Sequence, residues 1–217
     1  MYRQRLQSVF RFAHFPVAEY GDDHFVVSAK IIGQLRTLPY LDQWRKALDE
    51  RWFHVRLEDH SLMVFDDTHG SPSYSYIQCP LELESMRDYL NGTGREFNQR
   101  NAREAQEEYE KLWETAELRK HLTPIRYDYD PPGYLAGSHP LGHIHIGLGN
   151  NIRIGVRRVM SPTAFSLFVM RQMYPDCWKR LLDYSGTCGL PNHCRNGLPL
   201  VSPPYWQARD EIETYLA

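Results

Sequence analysis

Three histidines fall within seven residues of one another, at His139, His143 and His145, in the stretch SHPLGHIHIGLGNNIRIGVRRVM (residues 138–160) that also carries Arg153, Arg157 and Arg158. Imidazole and imidazolium are both populated near pH 7, so paired histidines suit general base and general acid roles. Arginine forks neutralise phosphoryl oxygens bidentately. Together these groups suit a phosphodiester, and where RNA supplies its own 2′-hydroxyl as nucleophile no metal is needed. The first expectation is therefore a metal-independent, ribonuclease-like hydrolase. In it His143, His145, His139 and Arg157 are catalytic, while Arg126, Asp128, Arg153 and Arg158 hold RNA or another anionic substrate. The His-x-His spacing also admits a second chemistry, ranked behind the first: one divalent ion bound by His143 and His145, with His139 or Asp128 as third ligand and water as fourth. A third possibility is a non-enzymatic module that binds nucleic acid or a protein through its basic face. The plainest is a set of histidines facing water on a sheet.

Strands must position these side chains. Ile144, Ile146 and Leu148 alternate with His143, His145 and Gly147, and Ile152, Ile154 and Val156 alternate with Arg153, Gly155 and Arg157. Period two on both sides predicts an antiparallel hairpin over 142–148 and 151–158. One buried face requires the apolar residues to pair with each other. Leu148 then meets Ile152, Ile146 meets Ile154 and Ile144 meets Val156 around a Gly149–Asn151 loop. This register sets His143 opposite Arg157, His145 opposite Gly155 and Arg153 opposite Gly147. Arg157 beside His143 weighs against a metal, because a fixed cation next to a divalent ion is unfavourable without an anion between them. Ile125, Tyr127 and Tyr129 predict a neighbouring strand with Arg126 and Asp128 on the histidine face.

The remaining elements read as support. Tyr2, Leu6, Val9, Phe10 and Ala13 predict an amphipathic helix stopped by Pro16, and Trp44, Leu48 and Trp52 a helix over 41–52. Three short strands are expected at 53–57, 61–65 and 73–78, then a helix over 81–90 halted by Asn91-Gly92-Thr93-Gly94. The longest helix is expected over 96–121. Ser161-Pro162 caps a helix that ends before Pro175, Asp176 caps the next, and a last helix is expected over 206–216. The fold class is α+β: small antiparallel sheets flanked by helices, with the histidine hairpin in the C-terminal half. A single domain spans 1–217, with 1–121 as helical and meander support and 122–186 as the active region.

Composition narrows the setting. The 217 residues are 42% apolar and 24% charged, ordinary for a globular chain. No apolar run approaches the roughly 18–20 residues of a membrane span, so no membrane role is expected. The opening MYRQRLQSVFRF lacks the features of a secretory signal, which predicts a cytoplasmic location. Four scattered cysteines agree with a reducing compartment. Cys188, His193 and Cys194 have the right donor types for zinc, yet no CxxC pair supports them. The net charge of −2 hides an asymmetry: residues 151–200 carry seven Lys or Arg against Asp176 and Asp183, which favours an anionic partner. His14, His24, His54, His60, His69 and His121 show no grouping.

The runs SYSYIQCP, RYDYDP, HPLGHIHIG, RIGVRRVMSP and FSLFVMRQMYP, between about residues 73 and 180, resemble an uncharacterised bacterial family known only as a domain of unknown function. That resemblance implies no activity. A looser resemblance is to small His-rich toxins of bacterial toxin-antitoxin pairs, on Arg126-Tyr127-Asp128, His143, His145 and Ser161-Pro162. It implies an RNA-directed toxin or phage-defence effector restrained by an inhibitory or defence-system partner. The chain departs from the toxins in its long N-terminal region and in having Gly142-His143 rather than His-His where the HxH pattern begins.

Overall fold

The computed structural model describes the chain except residues 1, 23–24, 68–69, 150, 184–195, 213–214 and 217. His24, His69 and the Cys188, His193 and Cys194 set lie outside the described residues. The fold is α+β, and the chain gathers into two compact units, each built from separated stretches. Residues 1–15, 63–76 and 123–217 make one; residues 16–62 and 77–122 make the other. Among the described residues no helix is long and apolar enough to cross a membrane.

The second unit pairs β1 (Val17–Tyr20) with β2 (Val55–Leu57) and adds five helices: α2 (Ala29–Arg36), α3 (Tyr40–Asp49), α4 (Met86–Gly92), α5 (Gln99–Glu104) and α6 (Gln106–Thr115). Tyr89, Leu90, Ala105 and Tyr109 form a buried cluster, and Trp44 is fully buried beside Trp113. The helix expected over 96–121 is broken at Ala105 and ends at Thr115. Beyond that point the backbone bonds elsewhere: Glu82 N donates to Glu117 O and Arg119 N to Pro80 O, which an α-helix there would forbid. His60, read from the sequence as ordinary, is a core residue of this unit. It is 4% exposed, and its Nε2 lies 2.6 Å from the Tyr109 hydroxyl.

The first unit carries a sheet whose strands lie side by side in chain order: β3 (Leu62–Asp66), β4 (Ser73–Ile77), β5 (Ile125–Tyr129), β6 (Gly142–Ile146), β7 (Arg153–Val156) and β8 (Tyr215–Leu216). The pairs β4–β5, β5–β6 and β6–β7 are antiparallel and β7–β8 is parallel. One face is apolar. Tyr74, Tyr127 and Ile144 are buried there, with the Tyr74 and Tyr127 rings stacked at 5.6 Å. Helices α1 (Tyr2–Phe12), α7 (Pro162–Met173) and α8 (Pro175–Asp183) pack together in this unit, and Phe165 of α7 meets Phe65 and Tyr74. Ser161 caps α7 by accepting from Ala164 N, and Pro162 occupies the first turn, where its missing N–H costs nothing. Helix α8 starts at Pro175, so Asp176 lies in its first turn rather than at the cap.

The hairpin register differs from the expected one. His143 pairs with Gly155, Ile144 with Ile154 and His145 with Arg153, two residues along from the predicted ladder. Gly147 leaves the strand with φ +90 and donates its N–H to Pro124 O. Leu148 and Ile152 are 60% and 53% exposed, so they close no buried ladder. A two-residue slip keeps every side chain on its face. It changes the neighbours: Arg157 is no longer opposite His143. The helix expected over 206–216 is replaced by a short 3-10 turn, Asp210–Ile212, and by β8.

Candidate functional site

The second face of the β4–β7 sheet holds the candidate chemistry. Alternation along β5 aims Tyr127 at the core and Arg126 and Asp128 at the other side. Across β5 and β6, Asp128 pairs with His143 and Arg126 with His145. On β7, Arg153 pairs with His145, so two guanidinium-bearing positions flank that histidine. β4 adds Ser73, whose hydroxyl donates to Asp128 Oδ1 at 2.9 Å. Arg126 Nε donates to Asp128 Oδ2 at 2.6 Å, and the same Oδ2 lies 3.6 Å from His145 Nε2. Asp128, His143 and His145 thus present ligating atoms all within 4.8 Å of one another, the described residues' group of at least three such donors.

Both histidines are deeply set, at 2% and 4% exposure, while the Arg126 and Asp128 side chains keep 39% and 22% of theirs. The site therefore opens at the Arg126–Asp128 edge. Burial is the main force on the His143 imidazole, holding it down to about 4 against the opposing pull of the Pro140 carbonyl. That carbonyl lies 2.8 Å from Nδ1, so Nδ1–H donates and Nε2 keeps its lone pair free. Burial, then the Arg126 charge, lower His145 as well. Its Nδ1 is buried without a hydrogen bond of ordinary geometry among the described residues, though the Ile152 backbone nearby opposes the lowering weakly. A buried imidazole nitrogen left unpaired is costly unless something absent from the chain satisfies it.

His139 completes the cluster from a loop. Asp130 N donates to Leu141 O and closes the loop's base, and Leu135 and His139 exchange backbone bonds within it. The His139 ring stands 4.9 Å from that of His143, which in turn stands 4.8 Å from that of His145. His139 Nδ1 donates to Gly133 O, and its Nε2 lies 4.0 Å from the Asp130 carboxylate. Glycine at 133 keeps this packing tight, since a Cβ would run into that carboxylate and reach within 2.6 Å of His139 Cε1, pushing both side chains aside.

Of the residues expected from the sequence, His143, His145, Asp128, Arg126 and His139 come together, and Arg153 lies beside them in register. Arg157 and Arg158 do not join them. Arg157 Nη1 forms an ion pair with Glu211 at 3.2 Å and its guanidinium lies over Trp206 at 4.4 Å. Arg158 Nη1 donates to Leu198 O at 2.9 Å. The sequence reading missed Ser73, Asp130 and Gly133. Ser73 was within reach, because Ser73-Tyr74-Ser75-Tyr76 alternates and its tyrosines are core residues.

These groups fit a divalent ion of the zinc or manganese type. Two neutral imidazoles and a carboxylate are a common ligand set, and a backbone carbonyl on the far nitrogen of His143 is the usual way a ligating histidine is oriented. Ligands about 2.1 Å from a tetrahedral ion lie about 3.4 Å apart, so the 3.6 Å between Asp128 and His145 is already close to what is needed.

No curated protein and no solved structure matches the chain. A family profile described as uncharacterized conserved protein (DUF2290) matches residues 10–196, most of the sequence, and the chain belongs to that family.

Proposed function

We propose that this protein is a divalent-metal-dependent hydrolase acting on phosphodiester bonds, with RNA as the expected substrate. The observation that carries the reading is the convergence of Asp128, His143 and His145 with His143 uncharged at neutral pH and its Nδ1 already engaged. An imidazole held at about 4 is almost never protonated at pH 7, which suits a ligand and disables a general acid. In the observed register Gly155 and not Arg157 stands across from His143, and Arg126, the cation beside the two histidines on β5, is paired with the Asp128 carboxylate.

A bound divalent ion would polarise a phosphoryl oxygen and activate water. The chain's own residues do the rest. Arg126 and Arg153, on either side of His145, draw the phosphate to the open edge, with Arg126 also fixing the Asp128 carboxylate. His139, at the rim between Asp130 and His143, is placed to carry a proton to or from the leaving oxygen. The cytoplasm, where RNA is abundant, suits the buried thiols of Cys79 and Cys177. The resemblance of Arg126-Tyr127-Asp128, His143 and His145 to His-rich toxins extends the proposal to a toxin or phage-defence role held back by a partner protein.

The test is metal content and turnover together. Purified protein should bind about one equivalent of Zn²⁺ or Mn²⁺, and RNA cleavage should vanish with a chelator and return with the ion. One observation favours metal-independent acid–base chemistry as the second reading: His139 lies against His143 as a ready proton-transfer partner. Cleavage that survives complete chelation would select it.

A further inference from the structure

The His139 loop is held from outside itself. Asp210 is 3% exposed, and its carboxylate accepts from Tyr134 Oη at 2.8 Å and from Gly137 N at 2.9 Å, both on that loop. It also accepts from Gln207 N at 2.8 Å, which folds its own segment around it. Burial works against the charge of Asp210, and the bonds from Gly137, Gln207 and Tyr134 outweigh it, leaving the carboxyl below its ordinary value.

Gly137 has φ +71, and a Cβ there would meet Arg209 Cβ at 3.1 Å, so loop and tail touch closely. Tyr205 adds an edge-on ring contact to Tyr134 at 5.5 Å. The same tail is tied to the chain leaving β7: Val159 N donates to Pro199 O, Val201 N to Arg157 O, and Glu211 pairs with Arg157. One continuous segment thus spans from the sheet to the loop. It lies beyond the stretch matched by the family profile.

We infer that residues 201–212 are a strap that fixes the 130–141 loop against the sheet, with Asp210 as the positioning residue that keeps His139 over His143. Asp210 touches none of the proposed ligands and acts through the loop. Without its carboxylate, the Tyr134 hydroxyl and the Gly137 N–H lose their partner, and the loop loses the two bonds that hold its tip. Its effect on turnover rests on the metal-hydrolase reading; its effect on His139 does not.

The experiment is carbethoxylation of the full chain by diethyl pyrocarbonate, read residue by residue by mass spectrometry, in wild type, Asp210→Asn and Tyr134→Phe. His139 modification should rise several-fold in both variants, with His143 and His145 still protected. Zn²⁺ affinity should stay at the wild-type value, and kcat on RNA should fall by about tenfold or more with KM unchanged, as expected for a displaced proton carrier. Unchanged His139 reactivity in both variants overturns the strap. If Asp210→Asn does not fold, Tyr134→Phe, which deletes one hydroxyl, decides alone. A wild type that binds no metal removes the metal reading, while His139 reactivity still decides the strap.

Discussion

Asp128 stands opposite His143 in the β5–β6 ladder, yet its carboxylate reaches diagonally to lie 3.6 Å from His145 Nε2. The carboxylate and both imidazoles keep their ligating atoms within 4.8 Å of one another, and the three should bind an ion as a unit. His143→Ala and His145→Ala should each lower Zn²⁺ or Mn²⁺ affinity and turnover nearly as much as the double variant, because groups acting together are strongly non-additive. Asp128→Asn should weaken binding by at least about tenfold, since it removes the anionic ligand and releases Arg126 beside the ion. Calorimetric titration measures all four. Wild-type affinity in Asp128→Asn would remove Asp128 from the ligand set.

The faces of this site were legible in the sequence and the register was not. Ile125, Tyr127 and Tyr129 alternating with Arg126 and Asp128 placed the latter two beside the histidines, because side-chain period two is local. Leu148 and Ile152 continued the same apolar pattern, and pairing them looked obligatory. A slip of two residues satisfies the pattern equally well, and the loop's exposure is decided by what lies around it. The bond between Ser73 and Asp128 spans 55 residues, and that between Tyr134 and Asp210 spans 76. No local periodicity encodes either. The end of the helix at Thr115 was hidden for the same reason: the 96–121 stripe is helical by spacing, and pairing of 117–119 with 80–82 ends it.

The arginines should separate by place. Arg126→Ala and Arg153→Ala should raise KM for RNA and each reduce the salt dependence of binding by about one unit of slope, the mark of one lost phosphate contact. Arg157→Ala should leave that slope alone, because its charge is taken up by Glu211 and Trp206. Its effect should appear instead as a loosened C-terminal segment, read as faster amide exchange at residues 205–212. A slope change in Arg157→Ala would return this residue to the substrate surface.

Gly133→Ala tests how tightly the His139 loop is built. The new methyl group meets side-chain atoms of Asp130 and His139 rather than backbone, so the loop should shift instead of unfolding the protein. Turnover should fall by about tenfold or more while the melting transition moves little, since the atoms displaced are side-chain ends in a surface loop. Metal affinity, set on β5 and β6, should be unchanged. Full activity in Gly133→Ala would mean His139 has no part in the chemistry.

Acid should destabilise the fold through histidines that are buried uncharged. Burial, reinforced by the Arg56 charge, pulls His60 down to about 3, and burial holds His143 at about 4. Well above pH 6.5 neither histidine is protonated in the folded or the unfolded chain, so neither makes stability depend on pH there. As pH falls below 6.5, the unfolded chain takes up protons that the folded chain refuses, and stability drops until the folded values are reached. Each histidine contributes at most about 1.4 kcal/mol per pH unit in that window. Urea unfolding between pH 7.5 and 4.5 should show the decline. His60→Asn, a residue type that tolerates the left-handed backbone at this position, should lower stability at pH 7.5 and flatten the slope by about one proton's worth. An unchanged slope in His60→Asn would show that His60 already takes up its proton in the folded protein.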